Sequence, residues 1–265
     1  MPTPAEPIRS SSNPLLKRVR AVAAGRESGD EILLEGDRLV DEALRAGLEL
    51  TAVLVSAERA ERLEELARKG VPVRAVAGEL LAGVSTLETT AGCLALARAP
   101  RERRLSELAL ARDALIVIAA GIQDPGNLGA LARTAEAAGA SALGVVRGGC
   151  RPWNPKALRG SMGSLLRLPV WTADPRAGVE ELARLVFRCV CARTRGGTSY
   201  ERFDWSGRVA LWLTSEVGGF QAALERASAS FEGITIPMSG AAESLNVTAA
   251  AAVLLFAAGR SRGPR

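Results

Sequence analysis

The residues best suited to chemistry lie in four short segments of the second half of this 265-residue chain. Two segments carry cations beside small or amide side chains, and two carry hydroxyl, amide or carboxylate groups in glycine-rich loops. Cations favour phosphate groups, and loops of this kind favour ligands that are rich in hydrogen-bond acceptors. The four segments hold Asn127 and Arg133; Lys156 and Arg159; Thr214, Ser215, Glu216 and Gly219; and Ile236, Met238, Ser244, Leu245 and Asn246.

The chain contains no histidine and four cysteines at spacings that do not suit a metal. Histidine is the commonest general base and the commonest metal ligand, so its absence argues against Ser/His or Cys/His triads and against a zinc site. The glycines at 126 and 129 have the wrong spacing for a dinucleotide fingerprint, and the chain has no P-loop. An enzyme of this sequence would therefore rely on Arg, Lys, Asp, Glu, Ser, Thr or a cofactor.

Three of the four segments also have an explanation that involves no function. Arg133 has the properties of a solvated residue on an exposed helix face, and Lys156 with Arg159 could form a charged turn before a helix. The run from Thr214 to Phe220 resembles any turn between a strand and a helix. The residues alone indicate an α/β ligand-binding domain, with nucleic acid as one possible partner.

The elements that position these segments are predicted by apolar runs that alternate with helical patterns. Continuous apolar runs at 114–119 and 142–146 are typical of buried parallel strands, and further strands are expected at 189–193, 209–213 and 233–236. Helices are expected at 127–138, 178–187, 219–227 and 247–259, with Asn127 and Asn246 as N-caps. This alternation predicts an open parallel sheet whose carboxyl edge carries the ligand loops.

The first half shows the same alternation on a smaller scale and predicts a small α/β domain at 13–98. Residues 1–12 are rich in proline and serine, which predicts a flexible tail. A basic linker is expected at 99–112, either solvated or in contact with phosphates through Arg101, Arg103 and Arg104. The net charge of +5 favours an anionic partner, and the lack of a secretory signal or a bilayer-length apolar run predicts a cytoplasmic protein without a membrane partner.

The four segments, taken in order, resemble the SpoU (TrmH-like) branch of the SPOUT superfamily of RNA 2′-O-ribose methyltransferases. The matching motifs are Asn127-x-Gly129-x-x-x-Arg133, Asn154-Pro155-Lys156 with Arg159-x-Ser161-x-Gly163, Ser215-Glu216-x-x-Gly219, and Ile236-Pro237-Met238 with Ser244-Leu245-Asn246. The likeness covers about residues 113–260. Thr214 departs from the family, which usually has glycine there. The N-terminal part of the chain, around Asn13-Pro14 and Leu34-Glu35-Gly36, is similar to the family's ribosomal-protein-like RNA-binding extension.

The resemblance implies a SPOUT parallel sheet at 113–260 with a deep trefoil knot, after an RNA-binding domain at 13–98. It implies S-adenosylmethionine as cofactor and a homodimer formed through the knot region, which would cover the apolar last helix. The implied cofactor-binding residues are Thr214, Ser215, Glu216, Gly219, Ile236, Met238, Ser244, Leu245 and Asn246. Lys17, Arg18, Lys156 and Arg159 are the implied RNA contacts, and no metal is expected.

The implied reaction is methylation of a ribose 2′-OH. Because a free guanidinium is a very weak acid, Arg133 is expected to act as a cation that favours loss of the hydroxyl proton or orients a phosphate. Asn127, Ser244 and Asn246 would position the reacting groups, and Glu216 would bind or brace the loop. The N-terminal extension favours ribosomal RNA; a tRNA 2′-O-methyltransferase and a non-catalytic RNA-binding or assembly factor are the alternatives.

Overall fold

The computed structural model describes residues 6–26, 31–214 and 231–262. The chain divides into two compact units, one formed by Met1–Pro100 with Trp153–Leu166 and the other by Arg101–Pro152 with Arg167–Arg265. The predicted helix at 219–227 lies outside the described residues. None of the helices in the described ranges combines the length and the apolar character that a bilayer crossing needs.

The described strands and helices alternate along most of the chain. The strands are β1 (Glu31–Glu35), β2 (Leu50–Ser56), β3 (Val73–Val76), β4 (Cys93–Arg98), β5 (Leu115–Ala120), β6 (Ala142–Val146), β7 (Val170–Ala173), β8 (Arg188–Arg193), β9 (Thr198–Ser199), β10 (Val209–Thr214) and β11 (Glu232–Thr235). The helices are α1 (Pro14–Ala23), α2 (Asp37–Arg45), α3 (Ala60–Arg68), α4 (Gly78–Ala82), α5 (Pro125–Ala137), α6 (Pro155–Ser161), α7 (Ser164–Arg167), α8 (Pro175–Arg184) and α9 (Val247–Arg262).

The first unit is built on a four-stranded mixed sheet with the order β1-β4-β2-β3. Strand β4 is antiparallel to both β1 and β2, whereas β2 and β3 are parallel. Helix α1 begins with Pro14 in its first turn and Asn13 as the N-cap, whose Oδ1 accepts the Leu15 amide at 2.9 Å. Its buried face carries Leu16 and Val19.

Part of the predicted flexible tail belongs to this core. Ile8 is buried and forms a parallel bridge with Val76, with its amide donating to the Ala75 carbonyl at 2.9 Å. An apolar residue with bridge hydrogen bonds on both of its backbone groups is fixed to the sheet, so the tail prediction is wrong at this position. The proline and serine content around Ile8 concealed this short extended segment.

The second unit is built on a seven-stranded sheet with the order β7-β6-β5-β10-β8-β11-β9. All of its described strand pairs are parallel, as predicted. Every residue of β5 is buried, which is typical of a strand covered on both faces. Helix α9 packs against α5 and β10, and α8 packs against β7 and β8. Strands β7 and β9 were not predicted because they are short and lie in glycine- and proline-containing connections.

The start of α5 differs from the prediction. Asp124, and not Asn127, is the N-cap, because its carboxylate accepts the Gly126 amide at 3.1 Å and Pro125 occupies the first helical position. Both residue types are favoured at these positions. Asn127 therefore lies inside the first turn of α5, and its side chain does not cap the helix.

Candidate functional site

A cavity of about 450 Å³ lies at the carboxyl edge of the seven-stranded sheet. It is bordered by the residues that end or follow β5, β8, β10 and β11, and by the start of α9. In parallel sheets the loops at this edge converge, and they are the usual place for a ligand. Its size falls in the ~300–1,000 Å³ range of small-molecule sites.

The β5 side of the cavity is formed by the loop Ile122–Asp124 and by Asn127. This loop is held from behind, because the Cys150 amide donates to the Ile122 carbonyl at 2.7 Å and Gln123 Nε2 donates to the Gly148 carbonyl at 2.8 Å. Gly149 permits this approach: a Cβ there would lie 2.9 Å from the Ile122 carbonyl oxygen. The close backbone contact fixes the cavity wall.

The opposite side is formed by the segment between β11 and α9. Asn246 caps α9 as predicted, with Oδ1 accepting the Thr248 amide at 2.9 Å and the Thr248 hydroxyl at 2.6 Å. Strand β11 is tied to β8 by Arg188, whose Nη2 lies 2.7 Å from Glu232 Oε2. These hydrogen bonds hold the pKa of Glu232 below its ordinary value of 4.5. The loop thus starts and ends on fixed elements.

The structure brings five of the predicted cofactor residues to this cavity. They are Thr214, Ile236, Met238, Ser244 and Leu245. Asn246 is exposed and does not line the cavity, since its side-chain oxygen is engaged by the cap.

Three predicted residues, Ser215, Glu216 and Gly219, lie outside the described ranges. Their proposed roles in catalysis and cofactor binding therefore stay predictions. Thr214, at the end of β10, is the last described residue before them and borders the cavity.

Sequence reasoning missed three charged residues of the lining, which are Arg193, Glu243 and the α5 cap Asp124. Arg193 ends β8 and Glu243 precedes Ser244. The first could have been found from its place at the carboxyl end of a predicted strand, and the second from its position beside a motif. Their charges, with apolar walls from Ile234 and Leu254, suit a ligand that has both an apolar part and charged groups.

Arg133 does not line the cavity of its own chain. It lies on α5, exposed, and its side chain makes no hydrogen bond or ion pair with any residue in the described ranges. Asn127, about two turns earlier on the same helix, does line the cavity. The two predicted catalytic residues of α5 are thus separated in one chain.

The predicted RNA contacts lie in the first unit and differ in their surroundings. Lys17 and Lys156 are exposed. Arg18 is paired with Glu31, its Nε donating to Oε2 at 2.7 Å. Arg159 forms an ion pair with Glu35, whose side chain is fully buried.

The sequence matches two families. Residues 114–256 match the SpoU rRNA Methylase family, and residues 5–111 match the family described as thiostrepton-resistance methylase, N terminus. Among curated proteins, the chain is 31% identical over 252 residues to the 23S rRNA (guanosine(2553)-2′-O)-methyltransferase RlmP of Bacillus subtilis (strain 168), covering 94% of this chain and 97% of that protein.

Two solved structures are similar over nearly the whole chain. One is a crystal structure of an RNA 2′-O ribose methyltransferase, with 34% identity, a TM-score of 0.80, and coverage of 97% of this chain and 99% of that chain. The other is the SpoU methyltransferase AviRb from Streptomyces viridochromogenes in complex with the cofactor AdoMet. It has 26% identity, a TM-score of 0.84, and coverage of 94% of this chain and 98% of that chain.

Proposed function

Because the chain belongs to the SpoU rRNA methylase family, we propose that it methylates a ribose 2′-OH of 23S ribosomal RNA with S-adenosylmethionine as the methyl donor. Its fold is the α/β SPOUT fold, with a parallel sheet and a C-terminal trefoil knot, after a small α/β domain. The observation that carries the proposal is the cavity at the carboxyl edge, bordered by Thr214, Ile236, Met238, Ser244 and Leu245.

The cavity residues fit this cofactor. S-adenosylmethionine, when bound, supplies an electrophilic methyl group on a sulfonium centre. The apolar side chains Ile236, Met238 and Leu245 would hold its adenosine part, and Arg193 and Glu243 carry the charges that complement its carboxylate and ammonium groups. Asn127 would position the ribose hydroxyl from the β5 side.

Arg133 would favour loss of the 2′-OH proton as a nearby cation or orient an adjacent phosphate. Its exposed position outside the cavity lining supports a site shared between two subunits, with Arg133 reaching the cavity of a partner. A homodimer through α5, α9 and the knot region would allow this. The surface of α9 also supports a homodimer. Phe256 is 52% exposed on a helix that is apolar over most of its length, and a partner subunit would cover this side chain.

Ribosomal RNA is favoured over tRNA because the N-terminal match extends over residues 5–111, in front of the methylase match. A tRNA 2′-O-methyltransferase and a non-catalytic RNA-binding or assembly factor remain the competing proposals, and a cytoplasmic location is part of ours. A cavity with the size and lining of a small-molecule site favours an enzyme over a binding factor.

The test is methyl transfer from labelled S-adenosylmethionine to separate pools of 23S rRNA, 16S rRNA and tRNA from cells that lack the gene. We expect label in 23S rRNA, at one nucleotide that becomes resistant to alkaline cleavage on its 3′ side, as a 2′-O-methyl group requires. Label in tRNA alone would select the tRNA alternative. Binding of RNA without transfer to any pool would select the binding factor.

A mixing experiment tests the shared site. We expect Arg133→Ala and the cavity-filling variant Ala192→Trp to be inactive separately, because one lacks the cation and the other the cofactor space. Random mixed dimers of the two would recover about a quarter of the wild-type activity if Arg133 acts across the dimer. No recovery, with mixed dimers present, would place Arg133 and the cavity of one subunit in the same site.

A further inference from the structure

We infer that a second surface of the methylase unit contacts the phosphates of the RNA, an inference that rests on the function proposed above. This surface, the β7 groove, runs along the edge strand of the seven-stranded sheet with a cavity volume of about 580 Å³. It is defined by Arg103, Arg104, Arg147 and Arg184 on its walls and by Trp171 and Glu181 beneath them.

The linker that supplies Arg103 and Arg104 is fixed in place. Leu105 is fully buried, and its amide donates to Glu181 Oε1 at 3.1 Å. Trp171 Nε1 donates to the other oxygen of the same carboxylate at 3.1 Å. A buried anchor with satisfied hydrogen bonds holds the preceding arginines at a defined place, which reduces the entropy lost when they bind.

The arginine side chains of the groove are available to bind a ligand. Arg103 and Arg104 are exposed, and their side chains have no hydrogen-bond or ion-pair partner among the residues that the structure describes. Arg184 is also exposed, and its Nε donates to a helix carbonyl at 3.3 Å. The Arg147 side chain pairs with the exposed Asp174, with 3.8 Å between Nη1 and Oδ2.

The three carboxylates of the groove each have a partner within it. Glu181 accepts from Trp171 and Leu105 as described. Glu102 accepts from the Thr172 hydroxyl, and Asp174 is the partner of Arg147. The groups that remain to meet a ligand are guanidinium groups, which match phosphate oxygens in geometry and charge.

The groove also has a suitable place relative to the cofactor cavity. Arg147 directly follows β6, so it lies at the same carboxyl edge of the sheet as the cavity. From there the groove continues along β7 toward the amino end of the strand, where the Arg103 amide donates to the Val170 carbonyl at 3.5 Å. Strand β7 is two strands from β5, about 10 Å at the usual strand spacing of about 4.8 Å. An RNA strand covers this distance in about three nucleotides at ~3.4 Å each, so one strand could reach both.

The experiment compares Arg103→Gln/Arg104→Gln with Arg112→Gln. Arg112 is an exposed arginine of the same linker that does not line the groove. Binding to transcribed 23S rRNA and to a 20-base-pair RNA duplex of arbitrary sequence is measured without cofactor between 50 and 300 mM KCl. Thermal unfolding and S-adenosylmethionine binding by calorimetry check that the variants are intact.

We expect the double variant to bind both RNAs about tenfold more weakly at 100 mM KCl. Its slope of log Kd against log salt should fall by about 1.4–1.8, as for two lost phosphate contacts, and Arg112→Gln should match the wild type. Unchanged binding, or weaker binding with the wild-type salt slope, would overturn the inference. If the wild type binds but transfers no methyl group to any RNA, the proposed function fails while the groove result stands.

Discussion

The ion pair between Arg159 and Glu35 gives the sharpest prediction about the first unit. The Glu35 side chain is fully buried, and that of Arg159 is 23% exposed. The carboxylate also accepts the Ser85 hydroxyl at 2.9 Å, the Thr86 amide at 2.8 Å and the Thr86 hydroxyl. Arg159 is the one cation paired with Glu35 in the described ranges, and the pair fastens α6 to β1.

We expect Arg159→Ala to lower the free energy of unfolding of this unit by about 3 kcal/mol. Loss of one partner of a buried pair costs about 3–5 kcal/mol, and the three remaining donors place the value at the lower end. Urea denaturation measured by circular dichroism gives the value. The double variant Arg159→Met/Glu35→Gln removes both charges and should recover most of the loss.

Lys156→Ala is the matched control, because Lys156 is an exposed cation on the same helix. We expect it to change the unfolding free energy by less than about 0.5 kcal/mol. If Arg159→Ala is as stable as this control but binds RNA more weakly, the stabilising role is refuted. Arg159 would then be the RNA contact that the sequence predicts.

Three further predictions concern the second unit and the thiols. Gly149→Ala should weaken S-adenosylmethionine binding in calorimetry by displacing the Ile122 carbonyl, and an unchanged affinity would contradict the wall described above. Val186→Gly should raise the free energy of unfolding by about 1 kcal/mol, because Val186 has a φ of 59° that disfavours β-branched residues. Its side chain is 80% exposed, so little packing is lost with it. A variant less stable than the wild type would refute this prediction. Burial raises the pKa of the Cys93 thiol to about 12. At pH 8 a disulfide reagent should therefore modify the partly exposed Cys150 first and Cys93 only after unfolding. Modification of Cys93 in the folded protein before Cys150 would disprove this prediction.

The sequence predicts the methylase sheet well because its strands are continuous apolar runs with helices between them. Strand β6 was predicted at its observed bounds, and β5 within one residue. The start of α5 was missed because Asp124 and Asn127 are both good caps, and only the backbone geometry decides between them. Local patterns cannot rank two such candidates.

The residues of the candidate site are predicted from motifs, not from periodicity. Thr214, Ile236, Met238, Ser244 and Leu245 meet at one cavity although they are distant in sequence, which follows from the shared carboxyl edge of parallel strands. The motifs do not predict the burial or the ion-pair partners of each side chain. Both Lys156 and Arg159 are cations in one motif, yet only tertiary packing onto β1 buries the partner of the second.

The inclusion of Trp153–Leu166 in the first unit has a consequence for synthesis on the ribosome. After Pro100 has been made, 66 further residues are needed to reach Leu166 and complete that unit. At 5–20 residues per second this takes about 3–13 s, during which the Glu35 carboxylate has no Arg159 to pair with. A truncated protein that ends at residue 111 would remain in this incomplete state, so expression of the N-terminal half should require α6 to be supplied as a fused segment or a peptide.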